Sequence, residues 1–286
     1  MIRKNEIDKS DDNIKRLVSM AKRMRLTGLD MALASGNNGS HLGGSFSCIE
    51  IIAALYGEVL NIDAENPCDS DRDIFIPSKN HCVLSHIPAL SEAGYISKEE
   101  TLEFQKDGGR LTGYPKRPEI GLEYSGGSLG MAISVGIGMA LSAKKRNKSS
   151  QIYVLMGDGE LNEGCIWEAF MAAAHFKLDN LNVIIDRNHL SYDGDTEEIM
   201  AVANLIDKMK SFNWHVSSCD GHNIVELLEA FSDRKPLLPH IIIAETIKGK
   251  GVSFMENKPE WHHHRLSEKE YELAKCEIES EGIQSK

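Results

Sequence analysis

Gln151-Ile152-Tyr153-Val154-Leu155-Met156-Gly157-Asp158-Gly159 is an apolar run that breaks into a Gly-Asp-Gly turn. Leu181-Asn182-Val183-Ile184-Ile185-Asp186-Arg187-Asn188 is a second run, ending thirty residues after Asp158. Between them, residues 163–177 carry a helix-like pattern. Together they read as one β-α-β unit with an oxygen-bearing side chain at the carboxyl end of each strand. A right-handed crossover between parallel neighbours brings those two ends together. Ligands of open α/β sheets bind at that edge. A carboxylate and an amide oxygen suit magnesium or calcium rather than zinc, and a magnesium with few protein ligands usually holds phosphate as well. Gly-Asp-Gly alone is also an ordinary tight turn. The matched oxygen one strand further on favours a metal-held diphosphate.

The chain has 286 residues and a formal net charge of −11. Such a balance argues against nucleic acid or an anionic membrane as the main partner. A phosphorylated ligand must then be held locally by metal, glycines or single basic residues. The amino terminus has no apolar signal core and no run reaches bilayer length. None of the six cysteines is in CxxC spacing, which predicts a reduced, cytoplasmic protein.

Outward from the central unit, strands alternate with helices, which predicts an α/β fold with a mainly parallel sheet and helices on both faces. Residues 1–12 are polar and expected to be flexible, with 13–286 as a single domain. A helix is expected to Ala34, followed by the breaker cluster 35–40. Further helices are expected over Phe46–Leu60 and Gly127–Lys145, and a short buried strand at Ile74-Phe75-Ile76. Ser97-x-x-Glu100 and Ser267-x-x-Glu270 read as capping boxes. The run His262-His263-His264 is internal and lacks a partner Cys or carboxylate at zinc spacing. Glu160 is read as solvated or helix-capping, and His86 as structural.

Six segments, in order, carry a resemblance: Gly39-Ser40-His41-Leu42-Gly43-Gly44, Ser78-Lys79-Asn80-His81, Ser125-Gly126-Gly127-Ser128-Leu129-Gly130, Gly157-Asp158-Gly159 with Glu163-Gly164, Asp186-Arg187-Asn188, and Lys248-Gly249-Lys250-Gly251-Val252-Ser253. Over roughly residues 15–280 the chain resembles the thiamine-diphosphate-binding half of a transketolase, and more closely the N-terminal subunit of the split transketolases. The resemblance implies the thiamine-diphosphate-binding fold. It implies that Asp158, the Asn188 side chain and the Leu190 carbonyl bind a divalent cation, magnesium with calcium or manganese as alternatives. Gly157 and Gly159 would lie against the diphosphate. Gly127, Ser128, Leu129 and Tyr192 would lie against the cofactor. Glu163 matches an interface acid that links two active sites. His41, His81 and His262 match histidines around the reactive thiazolium carbon, where imidazole suits proton movement near neutral pH. His41, Tyr114 and His262 would meet substrate.

The chain departs from the family pattern at three places. Gly113-Tyr114-Pro115 stands where Gly-His-Pro is usual, Asn80 where Gly is common, and Tyr192 where an aliphatic residue packs on the cofactor. Tyr114 suggests a modified ketose or an unusual phosphorylated sugar as donor. The resemblance also implies a second, C-terminal subunit that binds the aminopyrimidine ring, with an α2β2 assembly and an active site at the interface. The expected activity is transfer of a two-carbon ketol unit from a ketose to an aldose. Alternatives are the alpha subunit of a 2-oxo acid dehydrogenase, a deoxyxylulose-phosphate-synthase-like enzyme, a regulatory subunit, or a metal-dependent phosphate-binding protein.

Overall fold

The computed structural model describes residues 6–280. Helix α1 (Asp11–Ala34) opens on Ser10, whose hydroxyl accepts the Asn13 N–H. The helix therefore starts ahead of the expected boundary at 13, and residues 1–5 lie outside the described residues. Asp8 is already tied down, its N–H donating to Glu58 at 2.9 Å. Next come α2 (Leu42–Phe46), α3 (Ile49–Ala54), β1 (Ile74–Pro77), α4 (Val83–Glu92) and α5 (Lys98–Thr101). They are followed by α6 (Met131–Lys145), β2 (Ile152–Gly157), α7 (Gly164–His175), β3 (Leu181–Arg187) and α8 (Thr196–Met200). The described residues close with α9 (Leu205–Ser211), β4 (His215–Asp220), α10 (Ile224–Ser232), β5 (His240–Glu245) and α11 (Glu268–Ser280).

The five strands are all parallel, in the order β1-β2-β3-β5-β4. Helices cover both faces of this sheet, which explains why its central strands read as continuous apolar runs rather than alternating ones. Alternation survives in which side each residue serves. Tyr153, Leu155, Ile184 and Ile242 join the core under α1, α3, α4, α10 and α11. Val154, Met156, Val183, Ile185 and Ile241 join the core under α6, α7 and α9. No described helix is long and apolar enough to cross a membrane.

Two expected helices differ. The one read as Phe46–Leu60 starts at Leu42, breaks at Ser47-Cys48, and ends in a π-helical turn over Leu55–Val59. Gly43 and Gly44, which lie ahead of the expected start, are both buried in α2. The one read as Gly127–Lys145 starts only at Met131, because Gly130 has φ +78°, a left-handed conformation that does not propagate a helix. Short α8 carried no periodic signal; its start is capped by Asp195.

Candidate functional site

Four neighbouring strands deliver their carboxyl-terminal loops to one place. β1 leads to Lys79 and His81, β2 to Asp158 and Gly159, β3 to Asn188, Leu190, Ser191 and Tyr192, and β5 to Lys248. These line a cavity of about 390 Å³ with His41, Gly127, Leu129, Tyr114, Gly157 and His262. Its position is the one the sheet topology favours for ligands. A larger cavity, about 830 Å³, is lined by Tyr56, Glu58, Tyr153 and Arg234 and holds none of the predicted site residues.

The Asp158 carboxylate accepts the Gly159 N–H at 2.8 Å and the His189 N–H. His189 meets it by taking φ +61°. Asn188 Oδ1 accepts the Leu190 N–H at 3.1 Å, while its Nδ2 donates to Asp186 at 3.2 Å. Burial, then the charge of Asp186, pushes Asp158 up to about 6. A buried acid so disfavoured as an anion fits a divalent cation, which would relieve it. Asp158, Asn188 and the Leu190 carbonyl form an all-oxygen set of the kind hard cations take. Gly159 completes the cradle: a Cβ there would come 3.3 Å from the Ser191 Cβ. Among the described residues no three His, Cys, Asp or Glu side chains gather as a metal cluster.

The three predicted histidines meet. Ring centroids lie 5.3 Å apart for His41–His81, 5.5 Å for His41–His262 and 5.1 Å for His81–His262. A short antiparallel bridge between Ser40 and His264 (2.9 and 3.0 Å) ties their distant loops together. Burial, then the charge of His263, lowers His41 to about 4; burial, then Lys248, lowers His262 to about 3. Burial followed by Lys79 holds His81 well below the usual range. All three are neutral at pH 7. Tyr192, two-thirds exposed, sets its ring edge against His262 at 5.1 Å. Tyr114 is partly exposed over Gly127. Ser128 and Glu163 do not line the cavity; both are exposed beside it.

Four contributors escaped the sequence reading. Lys79, 1% exposed, forms a buried ion pair with Asp186 and donates to the Gly44 carbonyl at 2.7 Å. Lys248, 1% exposed, donates to the Leu190 and Ser191 carbonyls. Glu160 is not solvated: it is buried and accepts from Ser78 Oγ and from the Gly130 N–H at 2.7 Å. His189 works through its backbone. A lysine or glutamate in sequence reads as surface; only their place in or beside the matched motifs hinted otherwise.

Comparison with known proteins identifies the family. The family model described as "Transketolase, thiamine diphosphate binding domain" matches residues 17–283, and the chain belongs to that family. It is 38% identical over 277 residues to one named subunit of the apulose-4-phosphate transketolase of Phocaeicola vulgatus, covering 96% of this chain and 94% of that one. It is 39% identical over 245 residues to a 6-deoxy-6-sulfo-D-fructose transketolase subunit of a Clostridium species, covering 85% and 89%. The crystal structure of Campylobacter jejuni transketolase superimposes with a TM-score of 0.85 at 27% identity, covering 93% of this chain but 43% of that one. In extent the chain thus matches those two subunits, and it spans less than half of the Campylobacter transketolase chain.

Proposed function

We propose that this chain is the cofactor-binding subunit of a two-chain transketolase, moving a two-carbon ketol unit from a ketose to an aldose. The observation that carries the reading is one cavity uniting Asp158, Asn188 and the Leu190 carbonyl with His41, His81 and His262. Asp158, Asn188 and Leu190 would hold magnesium, with calcium or manganese as substitutes, and Gly157 and Gly159 would border the diphosphate. Gly127, Ser128, Leu129 and Tyr192 would flank the cofactor. Bound thiamine diphosphate would supply the carbanion chemistry. Neutral imidazoles can donate hydrogen bonds to sugar oxygens and also accept from sugar hydroxyls, whereas a charged imidazolium could only donate.

A second subunit, in an α2β2 assembly, would supply the pyrimidine-binding part. Both relatives carry the word subunit in their names, which supports this. So does the surface: from Leu129 in the cavity wall, exposed apolar side chains continue along α6 through Met131 and Val135, with exposed Glu163 alongside. The six free thiols suit the reducing cytoplasm. By name the relatives act on apulose 4-phosphate and on a sulfonated fructose, and Tyr114 points to a similarly unusual donor.

The test is two-carbon transfer by the co-purified pair of chains with magnesium, thiamine diphosphate and a panel of ketose donors. Asp158→Ala should weaken metal-dependent cofactor binding by at least about 100-fold, since even partners behind a metal ligand contribute 10–100-fold. The purified chain alone should be inert. Cofactor binding with no ketose turned over would move the reading to 2-oxo acids; full turnover by the chain alone would refute the two-chain reading.

A further inference from the structure

The geometry points to Lys248 as the positioning residue that decides which ring nitrogen of His262 carries a proton, making His262 a hydrogen-bond donor in the cavity. A lysine ammonium has three N–H donors and no acceptor. Lys248 Nζ has three partners: the Ser191 carbonyl at 2.8 Å, the Leu190 carbonyl at 3.2 Å and His262 Nδ1 at 3.0 Å. At 1% exposure, water does not take the place of any of them. Both carbonyls only accept, so the remaining N–H faces Nδ1. A protonated Nδ1 would set two donors head to head at 3.0 Å in a buried site, leaving both unsatisfied. Nδ1 is therefore the acceptor, and the proton of the neutral ring sits on Nε2.

The chemical consequence separates the three histidines. His262 lines the cavity as a neutral imidazole with an ammonium behind it. Its Nε2–H suits an oxygen that gains negative charge during reaction, and a neutral imidazole is an established electrophile of that kind. It has no free nitrogen with which to take a proton. Proton removal falls to His41 or His81, whose rings lie 5.5 and 5.1 Å from it. The tautomer assignment stands on this chain alone; only its use in carbon transfer rests on the proposed function.

The experiment is a two-bond proton–nitrogen correlation spectrum of the full chain at pH 7, carrying nitrogen-15 histidine. The His262 signal is identified by its loss in His262→Gln. The expected result is an Nε2–H tautomer in the wild-type chain, retained in Lys248→Arg. In Lys248→Met the proton should shift wholly or partly to Nδ1, while the His41 and His81 signals keep their tautomers. An Nδ1–H or doubly protonated His262 in the wild-type chain overturns the inference, as does an unchanged tautomer in Lys248→Met with unchanged circular dichroism. If Lys248→Met does not fold, the wild-type and Lys248→Arg spectra still decide. Failure of the chain pair to transfer carbon from any ketose would leave the tautomer result standing, so the two failures are distinguishable.

Discussion

Asp186 and Asp158 are both carboxylates near the ends of neighbouring strands, yet they have opposite fates. Asp186, in register with Gly157, accepts from Lys79, Thr246, Ser47 (2.6 Å) and Asn188 (3.2 Å). Although burial pushes it up, Lys79 and these donors hold it below the usual carboxylate range. Its lone pairs are committed, so it braces the site rather than binding at it. Asp158 accepts only backbone N–H groups and keeps capacity for a cation. Removing one member of the buried pair strands the other charge. Lys79→Met should cost about 3–5 kcal/mol, read as a lowered denaturant midpoint; a shift under about 1 kcal/mol would contradict this account of the pair. Tyr114 gives the other residue-scale test. Its phenol donates and accepts where an imidazole is usual, so Tyr114→His should change the ratio of kcat/KM between competing donors by roughly tenfold or more. An unaltered ratio would remove Tyr114 from donor choice.

At the scale of elements, α6 shows how backbone conformation positions the site. Gly130, with φ +78°, stops the helix short of the 127–129 segment. That leaves Gly127 and Leu129 free to line the cavity, while the Gly130 N–H is fixed by Glu160. Further along, α6 lies so close to β2 that a Cβ on Gly136 would sit 2.8 Å from Val154 Cγ2. Gly136→Leu should force α6 off the sheet at a cost of about 1–3 kcal/mol or more. Because α6 leads into the cavity wall, cofactor affinity should fall with it. Wild-type stability in that variant would mean the contact is slack. Periodicity located the cores of α1, α3, α6 and α7 and of β1, β2 and β3. It missed the start of α2 and the whole of α8, because short elements are set by caps and tertiary contacts more than by pattern.

The whole molecule has a pH dependence written into buried histidines. Burial lowers His86 and His240 to about 3, where Tyr56 Oη (2.7 Å) and Ser217 Oγ (2.8 Å) are their partners. In the unfolded chain each titrates near ~6.5. Below that pH the unfolded state binds protons that the folded state does not. Their stabilising contribution is therefore complete above about 6.5 and lost as pH falls toward 3. The lowered His41 and His262 act in the same sense, while raised Asp158 opposes them weakly between about 4 and 6. The melting temperature should fall from about pH 7 to about pH 4.5, and His240→Asn should flatten that fall; a flat wild-type profile would contradict the assignment. Across the molecule, sequence pattern alone was enough for the layered parallel sheet, because apolar runs and turn residues are local and periodic. It was enough for the family too, through the order of six short motifs, and it marked Asp158, Asn188, His41, His81 and His262 as chemistry-bearing residues. Folding in three dimensions was needed to reveal that Lys79, Lys248 and Glu160 are buried participants, that Asp186 is spent on Lys79, and that His262 faces an ammonium. Charge burial and hydrogen-bond satisfaction depend on residues far apart in the chain, and local pattern carries no record of which of them will meet.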